Sequence, residues 1–370
     1  MRALRSVKGP VQVQRVQFTD QVFDGCAIGP SVLPSSLLLG ALVAFLTGTH
    51  VAVAQAKAGG ALRLSVPIAC KLGETCFIQN YVDVDPGHGV RDYMCGSATY
   101  QDHTGTDFRL NSAAQSKMGV GVLAAAEGTV KRARDGMADV FANAASTKAL
   151  KGRECGNGLV IDHGDGWETQ YCHMRQGSLV VQTGDIVSRG QRLGDVGYSG
   201  KAEFAHLHLS VRHNGETVDP FSGQPQDSQC YSPSRIAKGL WNDSAAKILN
   251  YPGSQVFAVS FSDNVPALEA LERNHVRAKP HKKSGKLILL ARFLNLREGD
   301  RIRLSVNGPA EFHVKRISTP LERHKATYMA YIGKRRTSPS WPPGRYEGHA
   351  QILRGDAVIS EMRSVFALPE

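Results

Sequence analysis

The chain has 370 residues, which is room for two domains of about 150 residues each. Hydrophobic residues make up 42% and charged residues 21%, a globular balance that excludes wholesale disorder and collagen-like repeats. Only one long apolar run occurs, so a polytopic membrane protein is excluded as well. The formal net charge of +11 predicts attraction to anionic polymers without identifying one of them.

The apolar run lies near the N-terminus, over residues 32–46. Pro34 and Gly40 interrupt it, and it falls short of the ~20 apolar residues that a membrane-spanning helix needs. Basic residues precede the run, and a small-x-small tripeptide, Ala-Val-Ala at 52–54, follows it. We therefore expect residues 1–54 to be a signal peptide, with a single uncleaved N-terminal anchor as the alternative. The mature protein is then expected to be periplasmic or secreted.

Cleavage of this signal would leave an even number of cysteines, which in an exported chain predicts disulfide bonds. Cys155 and Cys172 flank a predicted hairpin and are the favoured pair, and Cys70 with Cys76 is a second local candidate. No CxxC motif occurs, so a cysteine-type zinc site is not expected. The six cysteines are Cys70, Cys76, Cys95, Cys155, Cys172 and Cys230.

Short apolar segments separated by glycine-rich turns run through most of the chain, a pattern that predicts an all-β fold. One short helix is expected over residues 263–273, with Asp263 as its cap. Composition divides the chain into a signal peptide (1–54), a cysteine-containing N-terminal extension (55–100), a glycine-rich antiparallel β-sheet domain (101–222), a linker (223–254) and a β-sandwich-like C-terminal domain (255–370).

The positive charge is concentrated in the C-terminal domain, which holds 20 Lys and Arg residues against 11 Asp and Glu residues. Its basic clusters at 281–283 and 334–336 predict docking on an anionic envelope surface. A well-hydrated face without a partner is the alternative. Nucleic acid is not expected as a partner, because the chain is predicted to be exported.

Three histidine motifs carry the chemistry. His206 and His208 lie two residues apart in a predicted strand, so both imidazoles point to the same face and could share a metal or divide into a ligand and a base. His103 and Asp107 flank Gly105, which disfavours a helix and keeps the shared face open for zinc, an ion that accepts N and O donors. His173 ends a predicted strand and could enter the same cleft from the side.

Taken together, these motifs resemble those of the lysostaphin/LytM-type zinc metallopeptidases, which cut peptidoglycan peptides. The order is HxGxD at 103–107, YxH at 171–173 and HxH at 206–208, with a run of the form G-x-x-V-x-x-G-Q-x-L-G-x-V-G at 184–197. The resemblance covers about residues 100–222. A similar glycine-rich pattern occurs in biotinyl and lipoyl domains, but those domains need no HxGxD or HLH motif.

The resemblance implies a zinc endopeptidase that hydrolyses peptide cross-links of peptidoglycan with a metal-activated water. A non-enzymatic, wall-binding regulator of another hydrolase is the alternative. A zinc-dependent bacteriocin, or a protease of protein substrates such as glycine-rich elastin, is a third, weaker hypothesis. Phe204-Ala205 stands where many members have Gly-Pro, a difference that concerns loop shape. Carried onto this sequence, the zinc ligands are His103, Asp107 and His208, and the catalytic histidines are His206 and His173.

Other polar residues near the motifs are expected to be solvated turn residues rather than partners of the ligands. The N-terminal extension is not part of the family's shared core and could occlude the cleft. The turn residues in question are Asp162, His163, Asp165 and Glu203.

Overall fold

The structure is a computed structural model that describes residues 62–143, 147–226, 228, 230, 239–273 and 279–370. The predicted signal peptide lies outside these residues. The described chain is predominantly antiparallel β-structure, which confirms the all-β prediction. Within these ranges, no helix has the length and apolar character that crossing a membrane would require.

The first part of the chain contributes a large sheet and a small one. Its strands are β1 (Cys76–Asn80), β2 (Thr106–Leu110), β3 (Gly121–Leu123), β4 (Gly128–Arg134), β5 (Asn157–Gly164), β6 (Trp167–Met174), β7 (Ile186–Val187), β8 (Arg192–Asp195), β9 (His206–His213), β10 (Glu216–Asp219) and β11 (Gln224–Pro225). The helices of the described chain are α1 (Ala113–Lys117), α2 (Asp243–Ile248) and α3 (Leu268–Arg273), with a 3-10 turn at Lys148–Leu150.

The large sheet brings the three histidine motifs together. Its order is β1-β2-β9-β6-β5-β4-β7, with β10 paired to β9 and β11, while β3 and β8 form the small sheet. Strand β9 therefore lies between β2 and β6, and Asp107 of β2 faces His208 of β9. On the other side, His208 faces Cys172 of β6, next to His173. Motifs that are about 35 to 100 residues apart in sequence thus become neighbours.

The side chains of strand β9 alternate between the two faces of the sheet, as the sequence predicted. Leu207, Leu209 and Val211 are fully buried in the core, because successive side chains of a strand point to opposite faces. His206 and His208 therefore share the other face, as predicted. Not every apolar segment between glycine-rich turns forms a strand: residues 178–181 are irregular, and the Val180 N–H donates a backbone hydrogen bond to the carbonyl oxygen of Leu193 in β8.

The last part of the chain forms two sheets that pack face to face. The strands are β12 (Gln255–Ser262), β13 (Lys286–Leu296), β14 (Arg301–Gly308), β15 (Phe312–Ile317), β16 (Lys325–Arg335), β17 (Gly344–Arg354) and β18 (Ala357–Leu368). One sheet has the order β12-β13-β16 and the other β15-β14-β17-β18. Their inner side chains, among them Leu289, Phe293, Leu304 and Tyr346, share one core, which gives the predicted sandwich-like domain.

The region between the two sets of sheets is packed rather than extended where it is described. Leu240 and Trp241 are buried in the core of the first set, and α2 follows them.

Helix α3 begins at Leu268, five residues later than the predicted start at Asp263. Val265 precedes Pro266, and the residue before a proline is disfavoured from the helical conformation. The domain boundaries drawn from composition remain predictions.

Three disulfide bonds join the six cysteines. Cys155–Cys172 and Cys70–Cys76 are the two local pairs that the sequence predicted. The third, Cys95–Cys230, spans 135 residues and ties the N-terminal extension to the segment after β11.

Candidate active site

Three of the predicted residues form a compact set of metal donors. The ligand atoms of His103, Asp107 and His208 all lie within 4.8 Å of one another. His103 Nε2 is 3.2 Å from Asp107 Oδ1, and His208 Nδ1 is 2.9 Å from the same oxygen. His103 and Asp107 are 1% exposed, whereas the His208 side chain is 12% exposed. Two imidazole nitrogens and one carboxylate oxygen around one point could hold a metal ion.

Hydrogen bonds to the chain orient both imidazoles. His103 Nδ1 lies 2.6 Å from the carbonyl oxygen of Tyr81, which can only accept, so Nδ1 carries the proton and Nε2 keeps its lone pair. His208 is turned the other way: its Nε2 lies 2.9 Å from the Ser210 hydroxyl, and its Nδ1 faces Asp107. Each ring therefore presents one nitrogen to the shared point, as metal-binding histidines require.

The carboxylate of Asp107 is held in the same manner. Asn80 Nδ2 donates a 2.8 Å hydrogen bond to Asp107 Oδ2, and both side chains are buried. The other oxygen, Oδ1, faces the imidazoles of His103, His206 and His208 at 2.9–3.5 Å. A buried carboxylate needs a cation or strong donors nearby, and this one is surrounded by imidazoles and an amide. That environment suits a bound metal ion.

Gly105 explains how β2 and β9 approach at this point. A Cβ atom on Gly105 would lie 2.6 Å from His208 Nε2 and 2.7 Å from the carbonyl oxygen of Leu209. Such distances are not tolerated by real side chains. The sequence-based view that Gly105 keeps this face open agrees with the structure.

The two remaining histidines lie beside the donor set. His206 Nδ1 is 2.9 Å from the carbonyl oxygen of Phe204, and His173 Nδ1 is 2.8 Å from that of Ser199. Both rings therefore carry their proton on Nδ1 and leave Nε2 as an acceptor. The ring centroids are 4.5 Å apart, and His206 Nε2 is 3.5 Å from Asp107 Oδ1.

His173 reaches this position through an unusual backbone. Its φ of 62° lies in the left-handed region, which few residues other than glycine adopt. The His173 N–H donates to the carbonyl oxygen of Cys155, and Cys155 is joined by its disulfide to Cys172. The disulfide and this bond hold the end of β6 in a conformation that turns His173 toward His206. Backbone strain of this kind is common at functional sites.

Burial sets the charge states of the site. It lowers the pKa of His206 to about 4, although the Asp107 carboxylate opposes the shift. It lowers the pKa of His173 well below the usual value, helped by repulsion from His206 and His208, and it lowers that of His208 too. Burial also lowers the pKa of His103, but Asp107 outweighs it and the net shift is upward. Burial would raise the pKa of Asp107, but the neighbouring histidines hold it well below its usual value.

The other polar residues near the motifs make contacts elsewhere. His163 contacts the Glu127 carbonyl oxygen and the Thr169 hydroxyl, and Asp162 accepts from the Gly164 N–H at the end of β5. Asp165 and Glu203 are exposed. Sequence reasoning overlooked the groups that do orient the five side chains: the carbonyl oxygens of Tyr81, Ser199 and Phe204, the Ser210 hydroxyl and the Asn80 amide.

Comparison with known proteins agrees with this geometry. Residues 101–220 match the family model described as Peptidase family M23. This part of the chain therefore matches an M23 peptidase domain. The resemblance to lysostaphin/LytM-type peptidases that the motifs indicated is thereby confirmed.

The M23 domain has relatives among characterised proteins. "DD-carboxypeptidase/endopeptidase Mpg" of Neisseria meningitidis is 31% identical over 126 residues, covering 34% of this chain and 23% of the relative. "Peptidoglycan DD-endopeptidase ShyA" of Vibrio cholerae is 39% identical over 64 residues, covering 17% and 14%. The chain thus spans less than a quarter of the length of these relatives.

Among solved structures, the catalytic domain of lysostaphin from Staphylococcus simulans is 26% identical. The match covers 32% of this chain and 76% of that one, with a TM-score of 0.24.

Proposed function

We propose that the chain is an exported zinc metalloendopeptidase that hydrolyses peptide cross-links of peptidoglycan. The observation that carries the proposal is that His173 and His206 lie beside the converging donor atoms of His103, Asp107 and His208. Hydrogen bonds to the chain leave Nε2 of His103, His173 and His206 free to act. The M23 match and the endopeptidase relatives support the same reaction class.

In this proposal His103, Asp107 and His208 hold the zinc ion. Their donor set of two nitrogens and one oxygen is typical of catalytic zinc sites, which use three protein ligands. When bound, zinc supplies Lewis acidity, which lowers the pKa of water toward ~7 and polarises a peptide carbonyl. Asn80 and the Tyr81 carbonyl oxygen fix the ligands before the ion arrives.

His206 is the proposed general base. Its Nδ1–H is donated to Phe204, so Nε2 is the atom that can take a proton from the attacking water. Burial keeps this ring neutral at physiological pH, which is the state a base requires.

His173 is the proposed stabiliser of the oxyanion. Its Nδ1–H is donated to the carbonyl oxygen of Ser199, so it must take a second proton from solvent at Nε2 before it can donate to the substrate oxygen. Negative charge developing on that oxygen favours this proton, because an opposite charge within hydrogen-bond distance raises the pKa of an imidazole. His173 is thus expected to act late, as charge builds up on the substrate.

An envelope location fits the rest of the molecule. Three disulfide bonds indicate an oxidising compartment, as expected of a periplasmic or secreted protein. The C-terminal domain exposes a cluster of basic side chains: Lys282, Lys283, Lys286, Lys334 and Arg335. Lys286 of β13 lies directly opposite Arg335 of β16 in the sheet. We propose that this basic cluster attracts the C-terminal domain to an anionic envelope surface.

Digestion of purified peptidoglycan by the zinc-loaded full chain tests the proposal, with the fragments identified by mass spectrometry. We expect cross-linked fragments to be converted to uncross-linked ones, and the conversion to stop when a chelator removes the metal. Binding to peptidoglycan without cleavage, by a protein that retains zinc, would refute the peptidase and favour the wall-binding regulator.

A further inference from the structure

A buried arginine lies next to the candidate site and plays no part in the proposed reaction. Arg109 is on β2 two residues after Asp107, so both side chains point to the same face of the sheet. It lies directly opposite His206 on β9 and is fully buried. A buried guanidinium keeps its charge, so it needs an anionic partner.

That partner comes from the C-terminal part of the chain. Arg109 Nη2 donates a 2.7 Å hydrogen bond to Glu272 Oε2, and Glu272 is on helix α3, 163 residues away in sequence. Arg109 also donates to the Gln79 side chain and to the carbonyl oxygen of Leu110. Among these three acceptors, Glu272 is the one that carries charge.

Glu272 is itself fixed on the C-terminal sheets. Its other oxygen, Oε1, pairs with Arg292 of β13, a residue that is 3% exposed. Arg292 in turn donates to the carbonyl oxygen of Asn111, just after β2. Both arginines also lie over the ring of Phe257, at 4.5 Å from its centroid. Neither charge of the Arg109–Glu272 pair is therefore free to move.

From Arg109 the chain of contacts continues to the proposed base. The Arg109 guanidinium carbon lies 4.7 Å from the ring centroid of Phe204. The Phe204 ring lies 4.4 Å from the His206 ring at 30°, and the Phe204 carbonyl oxygen accepts the His206 Nδ1–H. Phe204 thus contacts His206 both through its ring and through its backbone.

The same helix reaches the other side of the site. Arg273 of α3 lies over the Phe141 ring at 5.3 Å, and Phe141 stacks on Tyr198 at 4.5 Å between centroids. Tyr198 precedes Ser199, whose carbonyl oxygen accepts the His173 Nδ1–H. Helix α3 is therefore linked through intervening side chains to the supports of both histidines that are not proposed to bind metal.

We propose that Glu272 is a positioning residue: by pairing with Arg109 it holds the guanidinium against Phe204 and so fixes the His206 ring in the orientation that a base requires. The C-terminal domain is then part of the active site and not only a docking module. This inference rests on the proposed function, because it assumes that His206 takes part in the reaction. Misplacement of a reacting group by ~1 Å can cost about 100-fold in rate, so a distant contact can matter.

The first test is kinetic and uses Glu272→Gln in the full chain. We expect kcat to fall about 10- to 100-fold, with KM and bound zinc per chain unchanged. Glu269→Gln is the matched control, because Glu269 is exposed on the same helix. Phe204→Leu should show the same loss of kcat as Glu272→Gln. Phe204→Tyr should retain the wild-type kcat, because tyrosine keeps an aromatic ring between Arg109 and His206. An unchanged kcat in Glu272→Gln, or no difference between the two Phe204 variants, would overturn the proposal.

The second test needs no activity. Imidazole nitrogen NMR of the histidine-labelled full chain, with and without zinc, reports the environment of His206 directly. We expect its signals to shift in Glu272→Gln and not in Glu269→Gln, with His163 on β5 as an internal reference. Unchanged His206 signals in a folded Glu272→Gln protein would refute the positioning role.

If the wild-type chain cleaves no peptidoglycan, the proposed function fails, and the NMR spectrum alone then decides whether Glu272 positions His206. If Glu272→Gln does not fold, the Phe204 pair decides in both measurements.

Discussion

Asn80 offers a sharp test of how the proposed metal site is built. Its side-chain amide donates a 2.8 Å hydrogen bond to Asp107 Oδ2, and the two side chains are 5% and 1% exposed. Asn80→Ala removes this bond and leaves a buried carboxylate oxygen without its donor. The carboxylate can then rotate, and Oδ1 loses the orientation that faces His103 and His208.

The size of the effect follows from the charge and the burial. A hydrogen bond to a charged group contributes about 1.5–3 kcal/mol, and each 1.4 kcal/mol is a factor of about ten in affinity. We therefore expect the zinc dissociation constant to rise about 10- to 100-fold, the range found when outer partners of metal ligands are removed.

Competition between the protein and a chromophoric zinc chelator at pH 7 measures this constant. Asn250→Ala, at an exposed asparagine after α2, is the matched control and should leave the constant unchanged. Thermal unfolding of the metal-free proteins separates loss of affinity from loss of fold. A folded Asn80→Ala protein with wild-type zinc affinity would refute the reasoning.

Three further predictions concern turnover, packing and pH. His173→Ala should lower kcat about 100- to 1,000-fold, as loss of an oxyanion donor does, when measured on a soluble cross-linked muropeptide; a loss below tenfold would contradict that role. Gly105→Ala should lower both zinc content and melting temperature, because its Cβ meets His208 and Leu209, and unchanged values would be inconsistent with the packing. Burial raises the pKa of Asp219 to about 6, so the folded state holds this proton more tightly than the unfolded chain, where the pKa is about 3.9. The free energy of unfolding should therefore decrease through this group as the pH rises from 4 to 6. Urea unfolding of Asp219→Asn should show a smaller decrease over the same range, and equal decreases in the two proteins would refute the assignment.

The sequence predicted those features that depend on local pattern. Alternation along β9 placed His206 and His208 on one face because strand geometry has a period of two residues. Glycine-bounded segments indicated the all-β class, and short loops indicated the pairs Cys155–Cys172 and Cys70–Cys76. The convergence of the three histidine motifs came from the family resemblance, since spacing alone does not pair β2 with β9 and β6.

The features that the sequence did not predict depend on contacts between distant segments. Asn80 meets Asp107 because β1 pairs with β2, and nothing in the sequence around Asn80 signals that pairing. The same holds for Arg109 on β2 and Glu272 on α3, which belong to different predicted domains. The N-terminal extension, for which occlusion of the cleft stays a prediction, also supplies the Asn80 amide and the Tyr81 carbonyl oxygen that hold Asp107 and His103.

Bound zinc per chain in five alanine variants tests the central claim most directly. The account predicts that His103→Ala, Asp107→Ala and His208→Ala lose the metal, while His173→Ala and His206→Ala keep it at the wild-type level, as measured by metal analysis of the purified full chains. Zinc retained in His208→Ala, or lost in a folded His173→Ala, would contradict the division into three residues that hold the metal and two that act on the substrate.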